Sequence, residues 1–442
     1  MINFNNFDKH VGQRFWRHIH KETLIPYIDD VPERKLFLKK LCESVEKMKY
    51  VPAPPRGYVV SHKQNLVVRF IPTLTEEDYC IYFYCIKCLE DEIAQNRVVG
   101  TYGGWRLGGK IRKLESFDEA TSMPDFSYNR FAWKQAWTEY QTKAYSLQRK
   151  VDFNYFIIFD IANFYDSINL RRLEILIREI VGRNKTEVVN LLFYFLSNWG
   201  KRDLNYNGQI TGIPQDEVGD CSRILANFYL QDYDKTLFSI CSKRKSGYLR
   251  YADDQIIASY DEKTAKEIMF LASKELIKLG LNLNASKAKL LNKDDFFKYW
   301  SFDIFKLLID SENSTKIQQA WKTYKARLKS RVKFKPDTVL KRLLSCNLNQ
   351  LPKRIKEEIL NESIKKEFII SINEYYLKRI YLFTDSANKK IFLQYLNKLS
   401  NDVLFNQYHL RVMKFSRENK IDKVYLNKVR INLVKLNDMN LS

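Results

Sequence analysis

Apolar positions along the chain follow two periods, and they predict helices interrupted by a few short strands. Residues 1–50 read as mainly helical, with basic and aromatic residues mixed (Arg14, Phe15, Trp16, Arg17, His18, His20). The Pro-rich run Val51 to Gly57 is a break. Leu66 to Phe70 predicts a short strand ending at Pro72. Thr75 to Asn96 predicts a helix with Glu76, Glu77 and Asp78 in its first turn, where the helix dipole favours acids. Asn129 to Lys150 predicts another helix. The apolar run to Asp160 from Phe153 predicts a buried strand. Helices are expected from Leu170, over Lys185 to Trp199 and over Ser222 to Phe238, with a loop at Gly208 to Gln215. Apolar runs at Tyr248 to Tyr251 and Gln255 to Ser259 flank Asp253-Asp254 and predict a β-hairpin. Thr264 to Leu279 predicts an amphipathic helix stopped by Gly280. From about Thr315 to the end the pattern is helical and basic.

Composition narrows the partners. The 442 residues are enough for two or three domains, and 45% of them are hydrophobic. The net charge is +22, and residues 301–442 hold 29 Lys and Arg against 14 Asp and Glu. A surface that basic points to polyanions, and nucleic acid leads among them. The 27 Tyr and 28 Phe suit both core packing and the stacking of unpaired bases. The basic glycine-rich stretch Thr101 to Lys110 would let a backbone approach closely, either a phosphate backbone or its own hairpin turn. The seven cysteines show no disulfide framework. Cys80, Cys85 and Cys88 read as small core residues of an apolar helix rather than zinc ligands. There is no run of 18 apolar residues and no signal-peptide pattern, so a soluble, cytoplasmic protein without a membrane partner is expected.

Three carboxylates carry the candidate chemistry. Asp160 ends an apolar strand, and Asp253 and Asp254 sit at the tip of a hairpin. Carboxylates so held repel one another unless a cation neutralises them. Mg2+, a hard cation with oxygen ligands, is the natural partner. Two such ions can activate a 3′-hydroxyl and stabilise leaving pyrophosphate, which is nucleotidyl transfer.

Tyr251-Ala-Asp-Asp254 resembles the Tyr-x-Asp-Asp motif of reverse transcriptases. Phe159-Asp-Ile-Ala-Asn-Phe-Tyr-Asp-Ser-Ile168 resembles their first catalytic motif. Thr211-Gly-Ile-Pro-Gln215 followed by Ser222 to Leu230 resembles the loop and helix between the two. Leu279 to Lys287 resembles the motif that follows, and Val67 to Pro72 a fingers motif upstream. The resemblance implies an α+β right-hand polymerase. Fingers and palm, with an antiparallel palm sheet, would span 61–300. A helical extension would occupy 1–60, and a basic all-α thumb-like domain 301–442. It implies Asp160, Asp253 and Asp254 as catalytic metal ligands, with the Ile161 backbone beside them near the incoming triphosphate. Tyr165 falls at the steric-gate position, where a large ring clashes with a ribose 2′-hydroxyl and favours dNTPs. Gln215 would line the nucleotide pocket, Lys287 would reach the pyrophosphate and Arg69 would clamp phosphates.

One departure stands out. Asp216 replaces a common glycine, and Asp-Glu-Val-Gly-Asp-Cys before Ser222 is longer than usual, adding negative charge beside the template or nucleotide path. The long region before the palm and the helical basic C-terminus resemble the bacterial defence-associated and abortive-infection reverse transcriptases. This implies cDNA synthesis on a structured non-coding RNA, with homo-oligomers open. Template-independent or protein-primed synthesis and a maturase-like RNA-binding role are the alternatives.

Overall fold

The computed structural model describes residues 2–25, 34–62, 68–107, 133–200, 212–330 and 333–440. Nine strands occur among them: β1 (Gly57–His62), β2 (Val68–Thr73), β3 (Thr101–Tyr102), β4 (Tyr155–Phe159), β5 (Ile161–Ala162), β6 (Gly247–Tyr251), β7 (Asp254–Ser259), β8 (Asn282–Leu283) and β9 (Lys289–Asn292). By compactness the chain forms two units. The first holds the described residues within 2–56, 72–107 and 133–296. The second holds those within 57–71 and 297–440. The compact units differ from the expected division at residues 60 and 300 in placing strand β1 with the C-terminal helices.

The first unit is built on a five-stranded sheet of order β3-β6-β7-β4-β9. Its pairings are antiparallel except at one edge, where β3 runs parallel to β6. The Phe-Ile-Ile-Phe run of β4 is buried throughout, as a central strand covered on both faces requires. Helix Glu262–Lys278 packs on β4 and β7, and helices Trp133–Arg149 and Gln231–Lys243 pack on β6. The expected single helix from Ser222 to Phe238 is two, Asp220–Tyr229 and Gln231–Lys243, interrupted at Leu230. The periodicity runs on through this interruption, so pattern alone gave no sign of it.

Helix Glu76–Gln95 starts where Thr75 accepts a hydrogen bond from the Asp78 amide, and three acids follow it in the first turn. It is buried along most of its length. Phe7 of the N-terminal helix stacks on its Tyr84 with ring centroids 4.1 Å apart. Cys80 and Cys85 are fully buried in it, and burial pushes their thiols far up. They behave as core residues.

In the second unit β1 is tied to helix Asn406–Glu418: Val60 N donates to Asn406 Oδ1 at 2.7 Å, and Asn406 Nδ2 donates to Tyr58 O at 2.8 Å. Strand β1 pairs with β2, and the described residues from Phe302 to Asn440 form helices and their connections. Asn313 and Asn373 cap two of these helices through their side chains. No helix among the described residues is long and apolar enough to cross a membrane.

Candidate active site

The hairpin of β6 and β7 closes on two residues, since Tyr251 pairs with Asp254 and only Ala252 and Asp253 lie between. So short a turn needs a left-handed residue, and Ala252 takes it with φ 51°. A non-glycine residue there costs about 1–2 kcal/mol, so surrounding bonds must hold it. The Ala252 amide donates to Tyr102 O at 3.4 Å, and its carbonyl accepts from Arg250 Nη1 at 2.8 Å. The turn aims Asp253 toward the end of β4.

Asp160 follows β4 directly and is buried, 3% exposed. The Asp253 carboxyl lies within hydrogen-bond reach of Asp160 and is pushed up to about 8. Burial is the main cause, and the charges of Asp254 and Asp160 add to it. Asp160 Oδ1 is buried with no hydrogen-bond partner. Its Oδ2 is ion-paired with Lys287 Nζ. Two carboxyls facing each other, one with an orphaned oxygen, fit a divalent cation. Among the described residues no ready-made cage of three or more acidic, His or Cys side chains exists. Asp160 and Asp253 converge as a pair, Asp254 adds charge beside them, and the Ile161 backbone follows on β5.

The segment after helix Glu262–Lys278 is fixed against this point. Strand β5 pairs with β8 through Ile161 and Leu283, and the Asn284 amide donates to Asp160 O at 2.8 Å. The Lys287 amide then bonds Asn284 O at 3.1 Å, so its side chain returns to Asp160. The Asp160 ion pair raises the Lys287 ammonium against the opposing effect of burial.

Tyr165 sits in a single 3-10 turn five residues after Asp160. Its phenol is pushed up by burial. Arg223 opposes that shift, and the charge of Asp253 adds to it. The Tyr165 carbonyl accepts the Ile213 amide at 3.0 Å, and the Gly212 amide bonds Ile168 O at 3.0 Å. Gly212 has φ +85°, and a Cβ on it would stand 2.5 Å from Tyr165 O. Only glycine fits there. Gln215, half-buried, follows two residues beyond Ile213. Thr211 lies outside the described residues, as do Val67 and the later part of the glycine-rich stretch. Arg69 belongs to the second unit, half-buried on β2; the other seven expected site residues belong to the first.

The acidic segment after Gln215 is tied into the fold by its own hydrogen bonds and ion pairs. Asp216 is 7% exposed. Its Oδ2 accepts the amides of Val218 at 3.2 Å and Gly219 at 3.0 Å. Glu217 accepts the Leu24 amide at 2.7 Å and the Thr73 hydroxyl. Asp220 pairs with His18 at 2.8 Å and with Arg223 at 3.0 Å. These carboxylates are spent on a knot that joins the N-terminal helices to helix Asp220–Tyr229, and the charge of Asp216 still adds to the upward shift of the Tyr165 phenol.

The glycine-rich stretch also resolves where it is described. Thr101 and Tyr102 form the edge strand beside the hairpin, and Gly103 (φ +116°) lets the chain pass Asn227, whose Nδ2 a Cβ would meet at 2.8 Å. Its close approach is to the protein's own turn.

Three further residues escaped sequence reasoning: Asn227, Asp234 and Arg250. They form a buried polar cluster on the face of β6 away from Tyr251. On the Tyr251 side, Trp137 and Tyr140 pack their rings at 4.9 and 5.7 Å.

Residues 102–304 match the family model described as reverse transcriptase (RNA-dependent DNA polymerase). That segment, a little under half of the chain, is similar to a reverse transcriptase domain. The enzyme class of that family is RNA-directed DNA polymerase, a nucleotidyltransferase. No curated protein matches the chain. Among solved structures, a C-terminally truncated apo telomerase from Candida tropicalis is similar at 14% identity and TM-score 0.36, covering 60% of this chain and 58% of that one. The longer apo telomerase from the same organism is similar at 13% identity and TM-score 0.35, covering 86% and 69%. A Candida albicans telomerase in complex with a TWJ fragment of telomeric RNA is similar at 13% identity and TM-score 0.37, covering 88% and 63%. The chain thus spans a little over half the length of the first of these.

Proposed function

We propose that this chain copies a bound structured non-coding RNA into cDNA from dNTPs, with two Mg2+ ions, in bacterial antiphage defence. The observation that carries the chemistry is the meeting of Asp160 and Asp253, whose mutual repulsion only a proton or a cation relieves. Asp160, Asp253, Asp254 and the Ile161 carbonyl would hold the metal. Bound there, the ions supply Lewis acidity and a lowered pKa for the attacking hydroxyl. The chain's own residues do the rest. Tyr165 places a ring where a 2′-hydroxyl would lie, Gln215 lines the nucleotide pocket and Lys287 supplies positive charge to the departing pyrophosphate. By the motif resemblance alone, Arg69 would bind phosphate. The net charge of +15 over residues 301–442 favours a polyanionic template. The antiphage role, cytoplasmic location and RNA partner rest on the family resemblance of the motifs.

The test is to sequence the nucleic acid that co-purifies with the protein beside the DNA it makes. One discrete RNA, with DNA complementary to it and lost after ribonuclease treatment, supports the proposal. DNA that survives ribonuclease and matches no bound RNA overturns it in favour of template-independent or protein-primed synthesis.

A further inference from the structure

Arg250 is wholly buried, one residue before the Tyr-Ala-Asp-Asp turn. A cation in such a place is expensive unless every donor is used. Here every donor is used. Nε and Nη2 grip Asp234 at 2.8 and 2.5 Å. Nη1 donates to Asn227 Oδ1 and to Ala252 O, each at 2.8 Å. Nη2 also approaches Asn227 O at 3.4 Å. Asp234 is itself completed by the Tyr248 hydroxyl at 2.9 Å.

A buried ion pair is weak evidence for stability, because an apolar pair of similar volume often serves as well. What an apolar pair could not do is hold the carbonyl of a strained residue. Ala252 is left-handed, and the next residue is Asp253. The rest of the network reaches outward from the same guanidinium. Asn227 passes the tie to the glycine edge, its Nδ2 donating to Gly104 O at 2.9 Å. Asp234 lies on the next helix. The glycine edge and two consecutive helices are thereby locked to one peptide of the catalytic turn.

We infer that Arg250 is a positioning residue: with Asp234 and Asn227 it fixes the Ala252 peptide and so sets where Asp253 meets the metal. This deepens the proposed function and rests on Asp253 being a ligand. The test compares wild type with Arg250→Lys. The lysine keeps the charge for Asp234 but cannot also reach Ala252 O. Binding of Mn2+, read by its electron paramagnetic resonance signal without turnover, is expected to weaken about tenfold, the usual loss when the residues that orient a metal's ligands are removed. The dNTP incorporation rate at fixed metal should fall and partly recover as metal is raised, with KM for dNTP nearly unchanged. A Mn2+ affinity equal to wild type, with activity tracking only the folded fraction, overturns the inference. Should Arg250→Lys fail to fold, Asn227→Ser gives the same two readouts. The metal readout stands whether or not dNTPs are incorporated. A wild type that binds Mn2+ more tightly than the variant but makes no DNA would defeat the proposed function and leave the positioning role supported.

Discussion

Lys287 and Asp160, 127 residues apart, form an ion pair at the bottom of the candidate active site, with the lysine side chain largely exposed and the aspartate buried. The ammonium stands on the carboxylate that a metal would need. Removing it leaves a buried charge beside Asp253. Lys287→Ala is therefore expected to lower the melting temperature in EDTA and to enlarge the rise produced by Mg2+. Thermal denaturation with and without metal measures both. A metal-induced shift no larger than wild type would contradict the pairing.

Tyr165 is held by the Gly212-Ile213 loop within electrostatic reach of Asp253. Tyr165→Ala opens the space where a 2′-hydroxyl would lie. The preference for dNTPs over rNTPs, taken as a ratio of kcat/KM values, should fall by about tenfold or more. An unchanged ratio would assign the ring to the core.

Gly212 has a left-handed φ and no room for a Cβ against the Tyr165 carbonyl. Gly212→Ala should destabilise the protein by about 2 kcal/mol or more, from backbone strain and the clash together. Its KM for dNTP should rise as Tyr165 shifts. Urea denaturation and steady-state kinetics report the two effects separately.

His18 and Asp220 give a pH dependence. The hydrogen bond to Asp220 raises the His18 imidazole, while burial opposes it. A folded-state value above the unfolded 6.5 means that the pair's contribution is complete below that pH and disappears as pH rises through the raised value. Urea midpoints of wild type and His18→Gln should differ more at pH 6 than at pH 9. Equal differences at both would show that the pair adds no proton-linked stability.

The metal-facing residues were legible because their chemistry is local. Asp160 ends an apolar run, and Asp253 and Asp254 interrupt two more, which is where strand tips place carboxylates. Arg250 was hidden for the opposite reason. A basic residue before a turn reads as solvated, and nothing in one sequence pairs it with Asp234, 16 positions earlier in the chain. The ties of Asp216 were hidden as well, since nothing in one sequence shows which amides a carboxylate accepts. The glycine three residues later, left-handed at φ +66°, already hinted at the closed loop in which its carboxylate accepts two amides. The break at Leu230 has no sequence signal, since no glycine or proline marks it.

The most direct test of the account compares dNTP incorporation by purified wild type and by Asp253→Ala/Asp254→Ala in the presence of Mg2+. Synthesis by wild type is expected, with a loss of about a thousandfold or more in the variant, equivalent to about 4 kcal/mol of transition-state stabilisation, while the variant stays folded. Equal incorporation by the two proteins would contradict the account.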